Sequence, residues 1–211
     1  MVASKEKALS KTENASLGGV APKLSEVDVL RASFETERLR LRRFTSNDYQ
    51  ALYEMRSQSE VVRYLYGGPH TPEVTRAELD RRLSMKSFDQ DGDKIVLAVE
   101  EKATGSFVGD LVLILNDKAS CQGEIGFVFN PQHHGKGYGY EASRELLQFG
   151  FERIGLHRII GRCDPRNKAS SGLLCKLGMK QEAHLIENVW AKGEWTSELV
   201  FAMRHSEWPE T

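Results

Sequence analysis

The sequence predicts an α/β domain with a central mixed, mostly antiparallel sheet of about seven strands flanked by helices. Three observations carry this. Leu39, Leu41 and Phe44 alternate with arginines in the two-residue period of a half-buried strand. Three short β-rich segments, 95–99, 107–114 and 124–129, are separated by Thr104-Gly105 and the polar run 116–122, as in an antiparallel meander. The last of them passes through Asn130-Pro131 into a glycine-rich loop and then a helix, and a further strand follows at 156–163.

The remaining elements follow in order. Residues 1–33 are polar and mixed in charge, with a Gly18-Gly19 pair, and read as a flexible arm carrying at most a short helix over 24–32; the folded domain is expected over 34–211. Thr45-Ser46-Asn47-Asp48 offers a capping box ahead of Leu52, Met55, Val61, Val62 and Leu65 at helical intervals, so one or two helices follow the first strand. Gly67-Gly68-Pro69 breaks them, and Thr71-Pro72 starts another helix running to about Phe88. Ala142, Leu146 and Phe149 mark one face of the helix after the glycine loop, which ends near Gly155. Asp164-Pro165 turns the chain into a last helix through Ala169, Leu173, Leu174 and Leu177, stopped by Gly178. Strands at 181–189 and 199–204 complete the chain.

Composition narrows the function. Lys and Arg number 29 against 30 Asp and Glu in 211 residues, so no positive excess exists to hold nucleic acid. The longest apolar runs fall far short of the ~20 residues that span a bilayer, and no membrane association is expected. Cys121, Cys163 and Cys175 show no C-x-x-C spacing and cannot all pair, which argues against a disulfide framework or thiolate zinc site and for a reducing cytoplasm.

The chemistry-bearing feature is His134-Gly135-Lys136-Gly137-Tyr138-Gly139. Three alternating glycines let main-chain N–H groups converge without interference from Cβ atoms, and the helix behind them adds unpaired N–H groups and a positive dipole end. A phosphate or pyrophosphate is the expected guest, with Lys136 supplying a point charge; a plain glycine turn is the alternative. A P-loop is excluded because Gly137 follows Lys136 where Ser or Thr must stand. A dinucleotide-binding oxidoreductase fits poorly, since the loop comes after about four strands and Tyr140 occupies the place of the third glycine.

The chain resembles the GNAT acetyltransferases, whose acetyl-CoA loop follows Q/R-x-x-G-x-G/A and here reads His134-x-x-Gly137-x-Gly139. Gly135 to Tyr138 with Glu141-Ala142, then Leu156-His157-Arg158-Ile159, Asp164-Pro165, Asn167, Ser170 and Lys176-Leu177-Gly178-Met179 are similar to the branch containing ribosomal-protein N-terminal acetyltransferases. The likeness spans about 34–208, from Thr36-Glu37-Arg38-Leu39 to Gly193-Glu194-Trp195 and Glu207-Trp208. It implies that strands four and five splay apart, that main-chain amides of His134, Gly135, Lys136, Gly137, Tyr138, Gly139 and Tyr140 hold the CoA pyrophosphate, and that Phe127, Val128 and Phe129 pair with the pantetheine. Asn167 would bond to the same arm, with helix capping as its alternative. Acetyl-CoA is then the cosubstrate, no metal is required, and the partner is an amine-bearing acceptor.

For the transfer itself, the resemblance makes Glu124 the first candidate general base, with a solvated strand-end acid as its alternative; Glu187 is a second carboxylate that could face the acceptor, with an ordinary surface role as its alternative. Many relatives carry a tyrosine where Leu174 stands, and leucine donates no proton. Ser170 matches the branch's serine and is the candidate donor to the departing thiolate, with capping beside Asn167 as its alternative. Ser197 stands near where many relatives have Asp. His133-His134 lacks partners at metal-ligand spacing, and Cys175 beside Leu173-Leu174 is expected to pack. Trp190, Trp195 and Trp208 suit a core or a homodimer contact better than base stacking. A non-catalytic acyl-CoA sensor is the alternative within the same reading.

Overall fold

In the computed structural model the described residues are Leu24, Asp28 and 32–209. The arm and the helix expected over 24–32 therefore lie almost wholly outside them, although Leu24 and Ala32 pack against the main core. In chain order the elements are β1 (Phe34–Glu35), β2 (Leu39–Arg43), α1 (Tyr49–Arg56), α2 (Ser59–Val62), α3 (Pro72–Ser84), β3 (Lys94–Glu101), β4 (Phe107–Asp117), β5 (Gln122–Phe129), α4 (Tyr138–Gln148), β6 (Arg158–Cys163), α5 (Lys168–Lys176), β7 (Lys180–Ala191) and β8 (Glu194–Arg204).

All eight strands join one mixed sheet in the order β1-β2-β3-β4-β5-β6-β8-β7. The strand beyond the expected seven is β1, two residues that pair with β2 as Phe34↔Leu41 and Glu35↔Arg40, too short to show a period. Every neighbouring pair is antiparallel except β5 and β6. Those two run parallel and pair only from Gln122↔Arg158 to Ile125↔Gly161. Beyond Ile125 they part, which is the splay between the fourth and fifth strands of the sequence-based count.

The pleat divides the core into two layers. Leu97, Val99, Leu111, Leu113 and Ile125 face α4 and α5, where Leu146, Leu147 and Leu174 complete the larger cluster. Val96, Ala98 and Val128 face the other way, toward Leu52 and Met55 of α1 and Leu79 of α3. Thr71 Oγ1 accepts from the Val74 N–H at the start of α3, with Pro72 in its first turn. That helix stops at Ser84, short of the expected Phe88, because Met85 is already extended. A π-helical segment over Phe149–Ile154 prolongs α4 until Gly155 closes it in the left-handed conformation, φ 82°.

β7 and β8 extend beyond their expected bounds into a long hairpin. Its turn is Lys192-Gly193, both at positive φ (52° and 83°), as a two-residue hairpin requires. Trp190 and Trp195 face each other near that turn and are exposed, whereas Trp208 is buried in the main core. Cys175, expected to pack, is exposed on α5, because the buried stripe of that helix runs through Leu174.

Candidate active site

The parting of β5 and β6 opens a cleft of about 1280 Å³. One wall is the last stretch of β5. Phe127, Val128 and Phe129 pair with Leu111, Asp110 and Gly109 of β4 on one side, while their other edge has no partner in β6. A free edge of this kind offers alternating N–H and C=O groups to an extended, amide-bearing guest. Gly109 makes the close strand approach possible, since a Cβ there would lie 2.3 Å from the Val128 carbonyl oxygen.

The loop after β5 is built locally. Asn130 Oδ1 accepts from the Gln132 N–H, forming a short 3-10 turn over Pro131–His133. His134 Nε2 lies 3.1 Å from the Phe129 carbonyl oxygen, a bond that requires the Nε2–H form and folds the loop back on its strand. Gly135 and Gly137 then sit at φ 77° and 82°, where a side chain is strained. α4 opens immediately afterwards, and its first main-chain bond runs from the Glu141 N–H to the Gly137 carbonyl. Among the described residues, the N–H groups of Tyr138, Gly139 and Tyr140 find no acceptor, as expected at a helix start. At Gly139 an added Cβ would come 3.2 Å from the Phe129 ring and 3.3 Å from Leu173, so bare backbone is what lets helix, strand and α5 meet.

His134, Gly135, Gly137, Tyr138, Gly139 and Tyr140 all line the cleft, as do Phe127, Val128, Phe129, Asn167 and Ser170. Lys136 does not: its carbonyl accepts from Arg38 Nη1, and its Nζ lies 5.8 Å from the Tyr138 ring centroid. Tyr138 donates its hydroxyl to Glu101, which raises the phenol's pKa above its ordinary value. Asn167 caps α5, Oδ1 accepting from the Ser170 N–H at 3.1 Å, which leaves its Nδ2 outside the cap. Leu174 is buried against Gly161.

The proposed carboxylates are placed differently from one another. Glu124 lies on β5 one residue before the fork, with Oε2 accepting from Asn116 Nδ2 at 3.1 Å and Arg162 Nε at 3.3 Å. Arg162 is the first β6 residue past the fork and lines the cleft, whereas Glu124 itself does not and is joined to that space only through its ion pair with Arg162. Glu187 is exposed on a bulge of β7 at φ 47°, its N–H donating to Ser197 Oγ, and it does not line the cleft.

Sequence reasoning missed two further groups. Glu198 on β8 is buried; it accepts from the Tyr66 hydroxyl and Asn188 Nδ2, and Arg162 Nη1 lies 3.9 Å away. It lines a side chamber of about 190 Å³ that shares Arg63, Tyr64, Arg162 and Asp164 with the main cleft. Asp110 on β4 is buried between Arg56 and Arg82 on the cleft floor. In sequence, each is a lone acid beside an apolar run, which is the one available signal. Among the described residues no three His, Cys, Asp or Glu side chains come together as metal ligands, and no helix is long and apolar enough to cross a membrane.

The open strand edge, the left-handed glycines and the free helix N–H groups fit an extended amide arm ending in a diphosphate. The chain belongs to the GNAT acetyltransferases, the acetyltransferase (GNAT) domain matching residues 38–180. It is an acyltransferase of a family that uses acetyl-CoA. It is 33% identical over 173 residues to the uncharacterized N-acetyltransferase YnaD of Bacillus subtilis (strain 168), covering 82% of this chain and 97% of that protein. A crystal structure of a GNAT-family acetyltransferase from Bacillus anthracis is 30% identical, with a TM-score of 0.74 and coverage of 82% and 99%. A spermidine N-acetyltransferase from Vibrio cholerae in complex with CoA and spermine shares the fold at 18% identity, TM-score 0.70, covering 82% of this chain and 98% of that one.

Proposed function

We propose that this chain transfers an acetyl group from acetyl-CoA to a primary amine by direct attack, with both substrates bound together in the fork between β5 and β6. The observation that carries this is the unpaired edge of Phe127, Val128 and Phe129 running straight into the free N–H groups at the start of α4. Acetyl-CoA supplies an activated thioester when bound. Gly135, Gly137, Tyr138, Gly139 and Tyr140 hold the diphosphate through main-chain N–H groups, whereas the His134 N–H is engaged by the Pro131 carbonyl and Lys136 lies off the cleft; Asn167 Nδ2 donates to the arm. Glu124, through water at the fork, takes a proton from the acceptor ammonium, and the neutral amine so formed attacks the thioester carbonyl. Ser170, with its main-chain N–H already engaged in the cap, offers its hydroxyl to the departing thiolate.

The acceptor class remains a protein N-terminus, a polyamine or a small amine. The Asn167 and Ser170 pair and Lys176-Leu177-Gly178-Met179 favour the branch containing ribosomal-protein N-terminal acetyltransferases, acting in the cytoplasm. Exposed Trp190 and Trp195 favour a homodimer contact at the hairpin. Leu174 in the tyrosine position is the one observation favouring a non-catalytic acyl-CoA sensor instead.

The test has two parts. Acetyl-CoA raises the melting temperature of the unaltered chain, and Gly137→Trp abolishes that shift. Free-thiol release against a panel of amines and N-terminal peptides then names the acceptor. A shift that survives Gly137→Trp counts against the assigned site, and binding without turnover on any amine supports the sensor.

A further inference from the structure

Glu141 stands in the first turn of α4, beside the N–H groups assigned to the diphosphate. A carboxylate there strengthens the helix but repels an anion bound at the same end. Its oxygens are fully engaged. Oε1 accepts from Thr36 Oγ1 and, at 2.9 Å, from the Arg38 main-chain N–H; Oε2 accepts from Arg38 Nε at 2.7 Å, with Nη2 at 2.6 Å. Arg38 thus neutralises the acid through a fork of bonds.

The same guanidinium does a second thing. Nη1 donates to the Lys136 carbonyl at 2.9 Å, and the group lies over the Tyr138 ring, 4.7 Å from its centroid. In a planar trans peptide the C=O of Lys136 and the N–H of Gly137 point in opposite directions. A carbonyl held by Arg38 therefore turns the Gly137 N–H away from Arg38, and Gly137 lines the cleft. The left-handed φ of 82° at Gly137 keeps that orientation compatible with the start of α4.

We propose that Arg38 is a positioning residue for diphosphate binding: it cancels the Glu141 charge and locks the Lys136–Gly137 peptide with its N–H toward the cleft. This rests on the loop being the CoA site. It gives Thr36 and Arg38 of the opening Thr36-Glu37-Arg38-Leu39 a role at a loop about a hundred residues away.

The test is the CoA dissociation constant, by calorimetry at low and high salt, for the unaltered full chain and for Arg38→Ala, Arg38→Lys, Glu141→Gln and the Arg38→Ala/Glu141→Gln pair. Arg38→Ala is expected to weaken CoA binding about 10- to 50-fold. Removing Glu141 in the same chain restores at least about 3-fold of that, and raising the salt shrinks the gain because charge repulsion is its source. Arg38→Lys lies between, retaining charge but not the fork. A double variant no better than Arg38→Ala, or a loss in Arg38→Ala matched by its unliganded melting temperature alone, makes Arg38 a fold strap and overturns the proposal. Should Arg38→Ala not fold, Arg38→Lys and Glu141→Gln decide: Arg38→Lys binding CoA as tightly as the unaltered chain overturns it. Absence of CoA binding in the unaltered chain overturns the site assignment itself, whereas undiminished binding in Arg38→Ala overturns this inference alone.

Discussion

Arg56 Nη2 lies 2.7 and 2.8 Å from the two carboxylate oxygens of Asp110, so a helix end and a central strand are tied together beneath the cleft. Arg82 of α3 approaches the same carboxylate at 3.2 Å. Burial pushes the Asp110 carboxyl up, but the two guanidinium groups outweigh it and hold the group below the usual carboxylate range.

Asp110→Ala leaves Arg56 buried without its counter-ion and Arg82 with Glu78 alone, and is expected to cost about 3–5 kcal/mol. In a chain of this size that lowers the melting temperature by on the order of 10 °C, readable by calorimetry. The folded-state pKa is depressed, so the stabilisation is complete above the unfolded value of about 3.9 and fades as pH falls through the lower folded value. The gap between the unaltered chain and Asp110→Asn should therefore narrow below about pH 4. A gap constant from pH 7 to pH 3 would contradict the ion-pair account.

Gly161 of β6 faces Leu174 of α5, and a Cβ on it would lie 2.6 Å from Leu174 Cδ2. Leu174 is 1% exposed, so its Cδ2 can move aside only within the packed core. Gly161→Ala should cost about 1–3 kcal/mol by overpacking, and adding Leu174→Ala should recover part of that coupling. Denaturant midpoints of the single and double variants check this. Strictly additive losses would mean that the two residues do not press on each other.

Asn167→Ser separates capping from ligand binding. Serine caps a helix about as well as asparagine, so the melting temperature should move by no more than about 2 °C. Serine lacks the amide donor, and the KM for acetyl-CoA should rise several-fold. An unchanged KM assigns Asn167 to the cap alone.

Glu124→Gln tests the general base. A positioned base contributes about 10²- to 10⁴-fold, so kcat/KM should fall by at least the lower figure. A loss under about threefold would leave Glu124 as the partner of Asn116 and Arg162 only.

What could be read in advance was what is local. The glycine loop declared itself because left-handed turns and helix starts are decided within a few residues, as at Gly135, Gly137 and the N–H groups of Tyr138 to Tyr140. The capping pair Asn167 and Ser170 was visible for the same reason. Long-range pairings were not. Tyr66 and Glu198 are 132 positions apart, and Arg56 and Asp110 are 54, so only the folded sheet brings them together. The outer part of the β7–β8 hairpin was missed because it projects past the core, where Glu194, Trp195 and Thr196 need no apolar alternation. Cys175 was misplaced because one residue of rotation on α5 carries it from the buried side of Leu174 to solvent.

The four-residue contact between β5 and β6 leaves the sheet as two leaves on a short spine, β1 to β5 on one side and β6, β8 and β7 on the other. A guest lying along Phe127, Val128 and Phe129 would act as a surrogate strand and stitch the leaves together. Loading should then slow amide hydrogen exchange on both banks of the gap, coupling the rigidity of the distant hairpin to what fills the fissure.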